Sequence, residues 1–285
     1  MENWLLVSNC NTFGLANSLR LLTNGVKIDH ADYWAFRSKL DEYKQTLTEY
    51  TKVIIHPDIN GLAYDFSALE NLSKIPSIKF DAYHPDLCTV VARGAMLDSP
   101  LGPFHSMIVL AAYQAGYDVQ TTQSFFRRDV FERCGYFSRW DMERDQLLKT
   151  FADQGLDISS KFRTWSRGDC FMYGINHSKA RPIHDIAQLY LEKCGIEPND
   201  TDLVPSDVMT AGACYPVYPE IAELFGVRGS YMFKVPQEYK QITLGQFIEQ
   251  SFHIYSKLAP DPFLPDVHYT NRHDLVKSTL AEAQH

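Results

Sequence analysis

The sequence predicts an α/β fold rich in helix: a small, mainly parallel sheet from the N-terminal third, with a helical C-terminal portion packed on it. Short apolar runs at 4–7, 53–55 and 75–80 alternate with helical stretches, and that β-α-β-α-β order implies parallel strands with crossing helices. From about residue 100 the strand signals give way to amphipathic or wholly apolar helical segments. A length of 285 residues suits one or two domains and buries a core without disulfide or metal staples. The expectation is one compact domain over 1–285: a sheet half over 1–100, a helical half over 101–265 and a surface tail over 266–285.

The elements follow in order. The apolar run 4–7 is a strand, polar Ser8-Asn9-Cys10-Asn11 is a loop, and 13–22 is a helix stopped by Asn24-Gly25. A weaker extended segment covers 26–28. Phe36, Leu40, Tyr43, Leu47 and Tyr50 recur in steps of four and three, one face of a helix over 34–50. Val53-Ile54-Ile55 is a buried strand closed by His56-Pro57-Asp58, a strand-ending turn, and 75–80 is a further strand. Residues 104–115 are apolar on nearly every side and read as a buried helix, and 124–151 as one or two amphipathic helices. Residues 169–175 suggest a short strand. The helix 182–193 has Pro at its start and Gly195 at its end, and 219–225 closed by Gly226 repeats that grammar. Thr243 and Gln246 form a capping box for a helix running to about 258.

Composition narrows the function. The net charge of −8 argues against a dedicated nucleic-acid partner, while leaving room for a local basic pocket that takes a phosphorylated ligand. The six cysteines make no Cys-x-x-Cys pair, and the acidic N-terminus with its short apolar run is expected to be neither leader nor membrane anchor. A reduced, cytoplasmic chain with no transmembrane segment is expected. His-Glu-x-x-His, clustered His/Cys ligands and Asp-rich loops are missing, so no metal site is expected. Dinucleotide and phosphate-loop motifs and the Gly-x-Ser-x-Gly elbow are missing too.

Three polar segments could carry chemistry. Ser8-Asn9-Cys10-Asn11 falls where a first parallel strand meets a helix, the edge at which open sheets bind ligands. The helix's first N–H groups stabilise a thiolate, an oxyanion or a phosphate there. Cys10 is then a reactive thiol with Asn9 or Asn11 donating to an oxyanion, or else a small buried residue beside two turn-forming asparagines. In Asp81-Ala82-Tyr83-His84-Pro85-Asp86, His84 could act as general base with Asp81 or Asp86 holding its tautomer, or the segment is a Pro-stiffened turn. Asn176-His177-Ser178-Lys179-Ala180-Arg181 runs into a helix N-terminus and suits an anionic group. Arg127-Arg128, Lys161 and Arg163 offer further cations beside aromatics, a pattern that solvated surface also produces.

Taken in order, these segments resemble the WcbI family of capsular polysaccharide biosynthesis acetyltransferases. The family's Gly-Asn-Cys-Gln signature after a first strand corresponds to Ser8-Asn9-Cys10-Asn11, and its His-Pro-Asp motif to His84-Pro85-Asp86. Phe137-Ser138-Arg139-Trp140-Asp141 matches an aromatic and charged block, and Asn176-His177 an Asn-His-Pro turn in which Ser178 replaces Pro. A Tyr-Pro-x-Tyr-Pro stretch over 215–219 and the helix carrying Phe247 and Tyr255 also fit, so the likeness spans about 4–263. Ser8 for Gly and Asn11 for Gln are departures in the signature loop itself.

The resemblance implies coenzyme A binding, with acetyl-CoA as co-substrate, and O-acetylation of a carbohydrate acceptor. On that reading His84, Cys10, Asn9 and Asp86 are catalytic. Ser8, Asn11, Arg127, Arg128, Lys161, Arg163, Asn176, His177, Lys179 and Arg181 meet the CoA. Direct transfer with His84 as base is favoured over a covalent step at Cys10, which would only exchange one thioester for another. An esterase-like hydrolase of acylated carbohydrate is the alternative. A third is a non-catalytic accessory protein that binds CoA or sugar.

Overall fold

A computed structural model describes residues 2–59, 62–258 and 260–283. The chain groups into two compact units, each assembled from separate stretches. The first takes residues 1–79, 144–172 and 176–209, and the second takes 80–143, 173–175 and 210–285.

The first unit holds the expected parallel sheet. Strands Glu2–Ser8, Val26–Asp32, Lys52–Ile55 and Leu72–Lys74 are all parallel, with Glu2–Ser8 and Lys52–Ile55 at the centre. Trp4, Leu5, Leu6 and Val7 are all buried, as a strand covered on both faces requires. Leu5 and Val7 pack with Val53 and Ile55 and with Phe36, Leu40 and Leu47, three of the residues that the helical spacing marked as one face. That helical run is broken at Lys39 (φ −117°, ψ 23°) into Tyr33–Ser38 and Leu40–Thr46, followed by a 3-10 turn. The last strand lies earlier than the expected 75–80, because Pro76 has no N–H to continue the ladder. Residues 169–175 form no strand; Met172 makes only an isolated bridge to Ser178.

Helix Thr12–Leu22 packs against Ala180–Lys193. Gly14 allows the close approach, since a Cβ there would lie 3.2 Å from Ile183 Cδ1.

The second unit contains a sheet that the sequence reading did not anticipate. Strand Leu87–Ala92 pairs antiparallel with Ala95–Leu97, Phe104–Ser106 and Phe263–Pro265. Arg93 (φ 51°) and Gly94 (φ 75°) close a two-residue hairpin whose primed turn matches strand twist. The 104–115 segment is a short strand, then the helix Met107–Gln114, buried from Met107 to Ala112. The 124–151 block resolves into Arg128–Arg133, a 3-10 turn and Trp140–Ala152. Gly226 (φ 65°) ends Pro219–Phe225 as expected. Both hydrogen bonds of the Thr243/Gln246 capping box are present at the start of Leu244–Ser256.

The expected tail is a correction. Helix Thr270–Ala283 buries His273, Val276, Thr279 and Leu280 and packs against Met107–Gln114; residues 284 and 285 lie outside the described ones. Prolines before it and an even mix of polar residues concealed that inward face.

Candidate functional site

Ser8, the buried last residue of a central strand, opens the loop that sequence analysis singled out. The order of the strands reverses here, since the chain leaves Glu2–Ser8 for one neighbour and later returns to the other. Loops at such a point form the ligand crevice of open parallel sheets. Asn9 builds the turn. Its Nδ2 donates to Ser77 Oγ (2.7 Å), its Oδ1 accepts the Asn11 N–H (3.0 Å), and its carbonyl accepts from the Thr12 hydroxyl (2.6 Å). Asn9 is thus engaged in the turn, whatever it adds to an oxyanion.

Cys10 stands exposed at the tip of this loop, its Sγ 4.0 Å from the Asn176 carbonyl. The surrounding protein pushes its thiol up to about 11, outweighing the backbone N–H groups of Cys10 and Asn11, which pull the other way. At neutral pH the group is therefore a thiol rather than a thiolate. Asn11 is buried and donates to the same Asn176 carbonyl (3.3 Å). As N-cap of Thr12–Leu22 it makes no side-chain capping bond, so that helix keeps first-turn donors for another acceptor. Asn11 Oδ1, Asn176 Oδ1 and Ser178 Oγ are buried without a hydrogen-bond partner. Asn11 and Ser178 also line a void of about 10 Å³, the volume of one water.

His177 follows Asn176 and is half-buried; burial lowers its pKa, leaving a neutral imidazole at pH 7. Two of the expected cations lie beside Ala180–Lys193. Lys161 and Arg181 lie 3.8 and 3.9 Å from Asp185, which also accepts the Trp165 indole N–H (2.7 Å). Arg163 is exposed, and Lys179 is the N-cap of the helix.

The second unit holds the other candidates. The turn 81–84 is closed by the His84 N–H to the Asp81 carbonyl (2.8 Å). His84 is only 4% exposed, and its Nε2 faces the Tyr215 carbonyl at 3.0 Å, so Nε2 carries the proton. Its Nδ1 is buried with no hydrogen-bond partner, and burial pushes the ring down to about 4. The void it lines with Tyr83, Tyr215 and Phe233 is about 10 Å³, too small for a sugar.

Neither carboxylate holds the His84 tautomer, contrary to expectation. Asp86 accepts from Tyr136 (2.7 Å), Tyr218 (2.9 Å) and the Ile108 N–H (3.1 Å), which makes it a structural hub. Asp81 pairs with Arg139 and Arg272 (2.7 Å each), and Arg272 also donates to the Pro85 carbonyl. Arg272 escaped the sequence reading because an isolated residue far along the chain gives no local signal, and Tyr218 was noted there only as part of the Tyr-Pro-x-Tyr-Pro stretch, with no link to Asp86. Arg128 is paired with Glu223 (2.6 Å) and Arg127 with Asp129 (2.9 Å), both at the surface of this second unit.

Among the described residues, no group of three or more His, Cys, Asp or Glu is placed to hold a metal. No described helix is long and apolar enough to cross a membrane.

No curated protein matches the sequence. A solved structure of WcbI, described as a novel polysaccharide biosynthesis enzyme in its native form without a disulfide bond between coenzyme A and a cysteine, shares the fold. It is 16% identical, with a TM-score of 0.68 over 100% of this chain and 99% of that one. The family model for the polysaccharide biosynthesis enzyme WcbI matches residues 3–199. The chain belongs to the WcbI family of polysaccharide biosynthesis enzymes.

Proposed function

We propose that the protein transfers an acetyl group from acetyl-CoA to a sugar hydroxyl during capsule or exopolysaccharide synthesis. The observation that carries this reading is the exposed Cys10 thiol. It stands at the carboxyl end of a central parallel strand, at the N-terminus of an 11-residue helix. The disulfide named for the solved WcbI concerns CoA and a cysteine, which supports CoA's thiol end lying at Cys10 here. Donors of the first helical turn would hold the thioester oxygen as it gains charge. Lys161, Arg163, Lys179 and Arg181 would meet the phosphates, Lys161 and Arg181 giving up their long contacts to Asp185 (3.8 and 3.9 Å), whereas Arg127 and Arg128 hold closer carboxylates at 2.9 and 2.6 Å.

Cys10 has no covalent role in this reading. Its thiol is protonated at neutral pH, and passing acetyl from one sulfur to another lowers no barrier. The proton of the acceptor hydroxyl needs a neutral imidazole that a sugar can reach. His177 is neutral, half-buried and adjacent to the carbonyl that meets Cys10 and Asn11. We assign it the role of base. His84, the expected base, is also neutral but enclosed, and acts only if its void opens to the acceptor. The use of acetyl-CoA fits a cytoplasmic setting.

The test is thermal unfolding with CoA, acetyl-CoA and dephospho-CoA in parallel. A ligand at 100 times its dissociation constant stabilises the folded state by about 2.7 kcal/mol. A shift with CoA that weakens for dephospho-CoA is expected. No shift with any of the three in a folded sample overturns the reading in favour of the hydrolase.

A further inference from the structure

Away from the Cys10 loop, the first unit brings a lysine and a second cysteine face to face. Lys52 Nζ lies 3.1 Å from Cys194 Sγ. The lysine opens strand Lys52–Ile55, and the cysteine is the C-cap of Ala180–Lys193, 142 positions further along the chain. Packing holds the pair together: Nζ sits over the Trp4 ring (5.0 Å from its centroid) and the Tyr190 ring (5.7 Å). Trp4 is paired with Lys52 in the sheet, and Tyr190 is one helical turn before Cys194. The amine is therefore steered towards the sulfur by two buried aromatic walls. Cys194 is partly exposed, so a small oxidant reaches it, whereas Cys88, Cys134 and Cys170 are buried.

We infer that Lys52 and Cys194 form an oxidative modification site, at which a peroxide links the two side chains through a sulfur–nitrogen bond. In the first step the Cys194 sulfur attacks a peroxide oxygen as its thiolate, and the proton it gave up ends on the departing hydroxide. The O–O bond breaks, the sulfur is oxidised to a sulfenic acid, and the peroxide is reduced to water. In the second step the Lys52 amine, having given its extra proton to solvent, attacks that sulfur. The N–S bond forms and the S–O bond breaks, and the hydroxyl leaves as water with a proton from the nitrogen. The pair loses two hydrogens, and one hydrogen peroxide becomes two waters. A thiol reductant reverses the link by attack on sulfur, releasing the amine.

The link would tie the sheet to the far end of the helix whose near end follows the Asn176–Lys179 loop. It is independent of acetyl transfer and stands or falls by itself.

The test is peptide mapping of the full chain after brief exposure to hydrogen peroxide, with dimedone present in a parallel sample to trap sulfenic acid. The expected result is a cross-linked species joining the peptides that contain Lys52 and Cys194. Its mass is their sum less two hydrogens, and it disappears on treatment with dithiothreitol. Lys52→Gln should abolish the species and raise dimedone labelling of Cys194 several-fold, because the amine no longer captures the sulfenic acid. Equal labelling of Cys194 in both proteins, or oxidation of Cys194 to the sulfinic or sulfonic acid without any link, overturns the inference. So does a Cys194 that stays reduced while Cys10 is oxidised. If Lys52→Gln does not fold, the wild-type map alone decides.

Discussion

Arg139 grips Asp81 through two nitrogens, Nε to Oδ1 at 2.7 Å and Nη2 to Oδ2 at 2.9 Å, at the head of the turn that carries His84. Both side chains are largely buried, and Arg139 also reaches Glu143 (2.6 Å). Removing one partner of such a pair leaves a charge without its counterion in a poorly solvated place. Arg139→Met should therefore lower the unfolding free energy by about 3 kcal/mol, at the low end for a buried pair because Arg272 still faces Asp81. Urea denaturation checks it, and a loss below a few tenths of that size would show that the pair is inert.

Stability should also fall in mild acid. Burial pushes His84, His105 and His273 down to about 4, while in the unfolded chain they titrate near 6.5. Below that value the unfolded chain takes up protons that the folded one refuses. Their contribution is thus complete above about pH 6.5 and declines as the pH drops towards 4, by about 1.4 kcal/mol per pH unit for each ring. Burial raises the carboxyls of Asp86 and Glu143, which therefore take up protons in the folded chain before the unfolded one and offset part of that slope above about pH 4. Unfolding measured from pH 7 to 5 should show the slope, and His84→Gln should remove one ring's share of it.

The two sulfur and imidazole assignments separate kinetically. Cys10→Ala should keep acetyl transfer within a few-fold of wild type while losing any mixed disulfide with CoA. His177→Gln should bind CoA normally and lose turnover by about 100- to 10,000-fold, the usual worth of a positioned base. An inactive Cys10→Ala with normal CoA affinity would return the reaction to a covalent route. A comparable loss in a folded His84→Gln, with His177→Gln active, would move the base to the second unit.

Two glycines should respond differently to alanine. A Cβ at Gly229 would lie 2.6 Å from Pro219 Cα and 2.9 Å from Ala222 Cβ, so backbone must move. Gly229→Ala should cost about 1–3 kcal/mol as overpacking. At Gly14 the neighbour is the end of the Ile183 side chain at 3.2 Å, which can turn aside. Gly14→Ala should cost less, and Ile183→Val should recover part of it. Paired thermal melts distinguish the two sites.

The first unit was readable because its signals are local. Apolar runs mark its central strands, and the 36, 40, 43, 47 spacing marks the helical face that covers them. The Thr243/Gln246 box and Gly226 carry their own capping chemistry and appear where expected. The antiparallel sheet was missed because Arg93-Gly94 makes a primed turn without the usual Asn or Asp, leaving Leu87–Ala92 with no hairpin signal. At the candidate site, Cys10 and Asn176 were both singled out, but their proximity spans 166 positions and no pattern announces it. The burial of His84 was equally illegible, since it depends on Tyr215 and its neighbours far downstream.

The interleaving of the two units has a consequence for synthesis on the ribosome. The first 79 residues supply all four parallel strands, yet the helix that covers Thr12–Leu22 ends at Lys193, and the unit takes residues up to 209. At about 5–20 residues per second, the emerging sheet waits on the order of ten seconds with the outer side of Thr12–Leu22 uncovered. A nascent chain arrested near residue 100 should therefore engage hydrophobic-binding chaperones, and one released past 209 should not.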